Sequence, residues 1–541
     1  MKRIICLALL LAMLFGVVAC VGACDVQPNN PQTKPSDPTQ KPTDNPEFEL
    51  SELKFGDEIS AANDNFYKKY SAEEKQLYYE LWDADSSVGL KIDISASELY
   101  AIELAYRNYS STGNSTQSDV YRKCNLTVTV NGVDYYFEEV GVRMRGNTSR
   151  RSFCDESGKI FDYVHLRFSF NETFDEGEYA EGGWAHELFH DWSGDEEGRE
   201  ARDDRTFATM KKMYYKWNKN YDQSYVREIF CNETFAACGV LAPHITLTQI
   251  QIKQGQQFEN LGVGTLYETV DKQFIKRNFA KEYTGGDLYK CTYPANLTSI
   301  DGRGVETPTQ RFTYSLKTND DRTAEDYNHH KYLIALIETL KSAKTTDENF
   351  REKIEKVVDM DHFARFEAVN YLMGNPDCIR NNSNNYYIYF TPQGVAYLIP
   401  YDYDHCLGIN VDWNPTGNGC TTLLPYSTKA AVGNTVNPLY TKTILNGGLP
   451  YYKQLYKAKL TTLLDSDHFT TSSFESLYNH YKANYESVAM PSAAIIGQCK
   501  NLRAAALSFS LEGTAALSGT DGNIAATRYI ELKRDLALKN L

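Results

Sequence analysis

Apolar and polar residues alternate with period two along Leu126-Thr127-Val128-Thr129-Val130, the signature of a half-buried strand. Asn131-Gly132 follows, and then Asp134-Tyr135-Tyr136-Phe137, so the stretch predicts a β-hairpin with a tight turn. A further strand, Val140 to Met144, runs into the polar turn Arg145-Gly146-Asn147-Thr148-Ser149-Arg150, and another is expected over Tyr163–Phe170. There Val164, Leu166 and Phe168 share one face, leaving His165 and Arg167 on the other. Over 222–238, Val226, Ile229, Phe230 and Ala237 recur at helical spacing; Asp222 or Ser224 can cap this helix, and Gly239 stops it. Ile245–Lys253 and Gly264–Tyr267 read as strands. From about residue 324 helical patterns dominate, broken by a strand pair at Tyr386–Phe390 and Val395–Ile399. No repeat of 20–50 residues is present, which excludes solenoids and propellers. The expected class is α+β: an antiparallel sheet with one helix, then a helical half, as in a two-lobed enzyme.

The first residues predict an address. Met1-Lys2-Arg3 is positive, and Ile4 to Ala19 carries no charge but is short for a membrane span of about 20 residues. Cys20 and Cys24 each follow small residues, as in a bacterial lipobox, with Cys24 the better fit and an ordinary secretory signal the alternative. Residues 24–46, rich in Pro, Thr, Asp and Asn, cannot bury enough surface to offset ordering entropy and read as a tether. The expectation is a lipid-anchored protein on the extracytoplasmic face of a membrane. Residues 47–120 would extend an N-terminal lobe at 121–270, with a C-terminal lobe over 271–541.

Composition narrows the partners. Of 541 residues, 42% are hydrophobic, enough for real cores, so neither a disordered chain nor a polytopic membrane protein fits. Lys and Arg number 56 against 71 Asp and Glu, a net charge of −15, or −17 once residues 1–23 are removed. That balance argues against nucleic acid, which demands a basic footprint. Twelve cysteines without a C-x-x-C match no zinc pattern, and the odd number after Cys24 implies buried thiols or few disulfides.

Two segments carry candidate chemistry. Asp377 ends an apolar helix and is followed by an Asn-rich stretch, and the five-residue interval to Asn382 copies the Asp-x-x-x-x-Asn spacing of phosphoryl-transfer loops. Tyr397-Leu398-Ile399-Pro400 then leads into Asp402 and Asp404, two hard oxygen donors suited to Mg²⁺ at one strand end. A hairpin would return Asp402 beside Asp377, giving a base and a metal site together.

These residues resemble the CotH kinase family, secreted or spore-coat proteins with a divergent protein-kinase-like fold. The resemblance rests on Gly141–Arg150, Asp222–Glu228, Gly264–Asp271, Asp287–Lys290, Leu316–Asn319, Gly374–Asp377 with Asn385-Tyr386-Tyr387, and Pro400–Asp404, in the family's order. It implies ATP as phosphoryl donor, Mg²⁺, and a Ser or Thr hydroxyl of a protein as acceptor; the expected body is a monomer. Arg145, Asn147, Thr148, Ser149 and Arg150 would cradle phosphates, while Arg167, or alternatively Lys159, would grip them as the cation paired with Glu228. Glu268 would lie near adenine and ribose. Asp377 would be the base, Asp402 and then Asp404 the metal ligands, with Asn382 or Asn385 beside them. The rival expectation is a non-catalytic surface lipoprotein that reuses the fold.

Overall fold

The computed structural model describes residues 64–111, 118, 120–146, 149–300, 313–319, 322, 328, 330–342, 349–409, 421–427, 437–513 and 523–541. The expected leader, Cys20, Cys24 and the tether lie outside the described residues, as do Asn147 and Thr148. All described residues belong to one compact unit.

Seven strands close into a barrel: β1 Val88–Asp93, β2 Arg122–Val130, β3 Val133–Arg145, β4 His165–Ser169, β5 Lys212–Trp217, β6 Ile245–Gln254 and β7 Gln257–Glu268. Their order is β1-β2-β3-β4-β5-β7-β6, and β6 closes the ring by pairing parallel with β1. The antiparallel sheet expected from the sequence is therefore a closed barrel containing one parallel pair. Local patterning cannot reveal that pairing, because the partners lie some 160 residues apart. The hairpin at Asn131-Gly132 forms as expected, with Val130 opposite Val133. The two strands expected after it are one strand, β3, accommodated by a register shift between Cys124 and Leu126.

Alternate residues fill the barrel. Leu90, Ile92, Leu126, Val128, Val142, Leu166, Phe168, Met213 and Leu266 pack in one apolar cluster. Strict alternation then turns Arg143, Arg145, His165, Arg167, Tyr214 and Lys216 to the outer face. Full burial of one such aliphatic or aromatic side chain stabilises by about 1.5–3 kcal/mol.

A second, antiparallel sheet has the order β11-β10-β8-β9, formed by β8 Asp287–Cys291, β9 Tyr314–Leu316, β10 Tyr386–Phe390 and β11 Ala396–Pro400. It packs among helices around Met360–Met373, a helix buried at every residue but Asp361. A helix apolar or satisfied all round is a core helix, and Gly374, left-handed at φ 62°, ends it. The helix expected at 222–238 spans Arg227–Ala237. Asp222 does not cap it; its carboxylate instead accepts from Ser224 N and from Arg227 Nε at 2.9 Å. The eight cysteines among the described residues are all free and buried. No described helix is long and apolar enough to cross a membrane.

His362 sits inside the core helix, its Nε2 2.8 Å from the Leu398 carbonyl oxygen. Burial lowers its pKa to about 4. An unfolded histidine titrates near 6.5, so the unfolded chain binds the extra proton first as pH falls. Stability from this group is complete above about pH 6.5 and is lost on acidification towards pH 4, by about 3 kcal/mol. His362→Gln should flatten that part of the stability–pH curve, as measured by urea unfolding between pH 4 and 7.

Candidate functional site

The centre of the candidate site is the ammonium of Lys216, on the outer face of β5. Its Nζ lies 3.2 Å from Glu228 Oε2, 2.5 Å from Asp402 Oδ1 and 3.0 Å from Asp404 Oδ2. Glu228 comes from the helix Arg227–Ala237, and the two aspartates from the turn after β11. The cation that pairs with Glu228 is thus neither Arg167 nor Lys159. Arg167 faces outward from β4 but makes no hydrogen bond or ion pair to it, and Lys159 is exposed on a turn beside Asp93 and Lys253. Sequence reasoning passed over Lys216. Its strand, Lys-Met-Tyr-Tyr-Lys-Trp, is buried on both faces from Met213 on and shows no clean alternation of hydrophobicity.

Glu228 is held from two further sides: Tyr267 OH donates to its Oε2, and the Tyr403 backbone N–H donates to Oε1 at 2.9 Å. Lys219 adds a second ammonium 3.2 Å from Asp404 Oδ2, and His405 Nε2 lies 3.4 Å from Asp404 Oδ1. Burial alone would raise every acid and lower the lysines. For Lys216, Asp402 and Asp404 the pairing outweighs burial: the lysine is raised well above its ordinary value, Asp402 is lowered, and Asp404 is held far below. Glu228 gives way instead. Burial, helped by the charges of Asp404 and Asp402, pushes it up to about 7 against the pull of Lys216.

Asp377 lies beside this cluster. Three carboxamides donate to it: Asn382 at 2.6 Å and Asn384 at 3.0 Å to Oδ1, and Asn385 at 2.9 Å to Oδ2. Burial raises its pKa against two of these hydrogen bonds, and the charge of Asp402 adds to the rise. Asn375 joins the two acids mechanically, accepting from the Asp377 backbone N–H at 2.8 Å and donating to the Asp402 carbonyl at 3.3 Å. The short helix Ile379–Asn382 that supplies Asn382 is pinned from below: buried Arg380 is ion-paired with buried Glu367 on the core helix. Glu367 also accepts from Asn370, whose Oδ1 accepts from Tyr403 OH at 2.9 Å. One polar chain therefore connects both acidic turns. Asp402 and Asn385 adopt left-handed φ of 61° and 53°, a conformation Asp and Asn tolerate better than most residues.

The Arg145–Arg150 turn also reaches this region. Arg145 lies flat on Tyr214, 3.3 Å from its ring centroid, and donates from Nη2 to Tyr401 OH at 2.9 Å, next to Asp402. Lys290 Nζ is 3.4 Å from the same hydroxyl. Gly146 needs its freedom: φ is 111°, and a Cβ there would come within 2.1 Å of the buried Ser149 Oγ. Arg150 borders a small cavity with Arg143. Glu268 is fully buried; it pairs with Arg277 and accepts from Tyr78 OH at 3.0 Å and from the His244 N–H at 3.1 Å, which ties the end of β7 to the helices that carry Tyr78 and Arg277.

The donor set suits a hard divalent ion. Asn382 Oδ1 and both carboxylate oxygens of Asp404 are buried without a hydrogen-bond donor, although Asp404 has its ammonium neighbours. Among the described residues, no group of three or more His, Cys, Asp or Glu side chains forms a ready metal cage. One or two carboxylates with a carboxamide oxygen and water is how Mg²⁺ is ordinarily held, so the residues fit that ion.

A family model described as CotH kinase protein matches residues 191–494, more than half of the chain. The span contains Lys216, Glu228, Asp377 and Asp402 but not the Arg145–Arg150 turn. No curated protein matches the chain.

Lys216→Met would leave three carboxylates gathered at one buried point with Lys219 as the remaining ammonium. The variant should lose about 3–5 kcal/mol at pH 8, the scale for breaking a buried ion pair. Its acids then have raised pKa values in the fold, so the deficit should shrink as pH falls to 5. Guanidinium unfolding of both proteins at the two pH values checks this; an equal deficit at both would contradict the electrostatic account.

Proposed function

The chain belongs to the CotH kinase family, and from that premise we propose that it transfers the γ-phosphoryl group of ATP to a Ser or Thr hydroxyl of a protein. The observation that carries the reading is that Asn375 joins the turns of Asp377 and Asp402, 25 residues apart, with Asp402 held against the ammonium of Lys216. In this reading the barrel with its helix Arg227–Ala237 is one lobe of a kinase-like fold, and the second sheet with its helices is the other.

Each residue then has a task. Lys216, oriented by Glu228, holds the α- and β-phosphates, and Arg145, Ser149 and Arg150 approach them from the turn after β3. Asp402 and Asp404, with Asn382 or Asn385, hold Mg²⁺. Bound there, the ion supplies charge neutralisation to the transferred group. Asp377 orients the acceptor hydroxyl and takes its proton as the new O–P bond forms and the bond to the ADP oxygen breaks. Its raised proton affinity supports that role, because a base works best when its pKa approaches the working pH. The three carboxamides around it fix its direction, so most of the catalytic effect is positioning and charge placement. The leader and tether support a lipid-anchored protein acting on the extracytoplasmic face.

The test is intact-mass labelling of casein co-incubated with Mg-ATP. Wild type should label it, whereas Asp377→Ala and Asp402→Ala should be slower by at least about 100-fold. Equal labelling by all three proteins would remove the assignment. Absence of both labelling and calorimetric heat with Mg-ATP would favour the non-catalytic surface protein.

A further inference from the structure

One buried polar group beside the candidate site has no task in the reading above. His165 opens β4 directly opposite Arg145 on β3, and both side chains leave the barrel on the face that carries Lys216. The residue is almost wholly buried. The backbone N–H of Trp217 donates to its Nδ1 at 3.1 Å. A backbone amide nitrogen can only donate, so Nδ1 carries no proton and the ring's one N–H is at Nε2. Burial, with the charges of Lys216, Lys219 and Arg145, pushes the imidazole well below its ordinary value against the pull of Asp404, which keeps the ring neutral.

The Nε2–H then lacks an acceptor: among the described residues it is buried with no hydrogen-bond partner. Its cross-strand neighbour shows the same deficit. Arg145 donates from Nη2 to Tyr401 OH, while its Nη1 is buried with no partner. Folded proteins seldom leave two neighbouring donors unpaired in a dry place, because each has lost its water without gaining an acceptor. The edge of the ring that bears Nε2 borders the turn after β3, where a Cβ on Gly146 would stand 3.3 Å from Cδ2. The acceptor that both groups lack is therefore one that enters between this turn and the ammonium of Lys216.

We propose that His165 is a phosphate-binding residue, its Nε2–H donating to a non-bridging oxygen of a nucleotide's phosphate chain beside Arg145 Nη1. The inference rests on the phosphoryl-transfer reading for the identity of the ligand and adds a donor of a different kind to that site. A neutral N–H fixes the place of one oxygen by direction, without adding like charge beside Lys216 and Lys219.

Two carboxamide substitutions separate this role from a structural one. In His165→Asn the Oδ1 falls where the imidazole Nδ1 lay, so the acceptor for Trp217 is kept and the far donor is lost. In His165→Gln the Nε2 falls where the imidazole Nε2 lay, so the donor is kept and the acceptor is lost. Calorimetry on the full chain uses Mg-ADP and, as a probe without base or sugar, magnesium pyrophosphate. His165→Asn should bind both at least about tenfold more weakly than wild type, the scale for one hydrogen bond to a charged group, and His165→Gln should stay within about threefold. A structural histidine predicts the reverse order, and that order, or equal binding by all three proteins, overturns the proposal. Where a variant does not fold, nitrogen NMR of wild type with ¹⁵N-labelled histidine decides: pyrophosphate should move the His165 Nε2 signal, and an unmoved signal overturns the proposal. Pyrophosphate binding with the expected order, but no labelling of casein by wild type, keeps the phosphate contact and removes the transfer reading. Labelling by wild type with undiminished binding by His165→Asn does the opposite, and no binding of either probe by wild type removes both.

Discussion

Everything in the candidate site turns on one buried ammonium shared by three carboxylates. Glu228, Asp402 and Asp404 are drawn from a helix and from a turn after the second sheet, and each would be expensive to bury alone. Lys216 makes their company tolerable, and in doing so it fixes the barrel face against β11. The acids outnumber the cation, so the charge is divided unequally: the aspartates stay ionised and Glu228 becomes the group that holds a proton most readily. The arrangement is rigid because Tyr267 and the Tyr403 N–H fix Glu228 from outside the charge cluster.

Asp377 is placed by a different device. Among the described residues no lysine or arginine is ion-paired with it; carboxamides donate to it, and the turn that bears them is anchored through Arg380 to Glu367 in the middle of a helix without an apolar stripe. A carboxylate surrounded by neutral donors in a buried place keeps a higher proton affinity than one facing lysine. The two acids at the centre of the functional reading therefore differ in character because of their surroundings, not their chemistry.

Much of this is legible in the amino-acid sequence. The hairpin at Asn131-Gly132, the inward and outward faces of β4, and the strand pair that returns the Asp402 turn to Asp377 all follow from local pattern. What escaped has specific causes. Lys216 lies in a strand covered on both sides, where Tyr214 and Tyr215 alike are buried and the period-two signal vanishes. Arg167 does leave the outer face of β4, as the alternation predicts, but facing outward does not say which neighbour lies across. The place of Glu268 near adenine and ribose is implied by the resemblance alone; its partners Tyr78, 190 residues away, His244 and Arg277 come from separate elements that no local pattern joins to it. Closure of the barrel through β1 and β6 is likewise a long-range fact that no window of residues contains.

The thiols have a bearing on how this molecule can be made and where it can persist. The eight cysteines among the described residues are buried, and burial raises the thiol of Cys231, near the site, well above its ordinary value, so that little reactive thiolate exists there. The described body owes none of its cohesion to sulfur–sulfur links. The packing of the described residues is accordingly indifferent to the oxidising power of its surroundings: it holds alike in a reducing and in an oxidising compartment, and it needs no catalyst of cross-link formation.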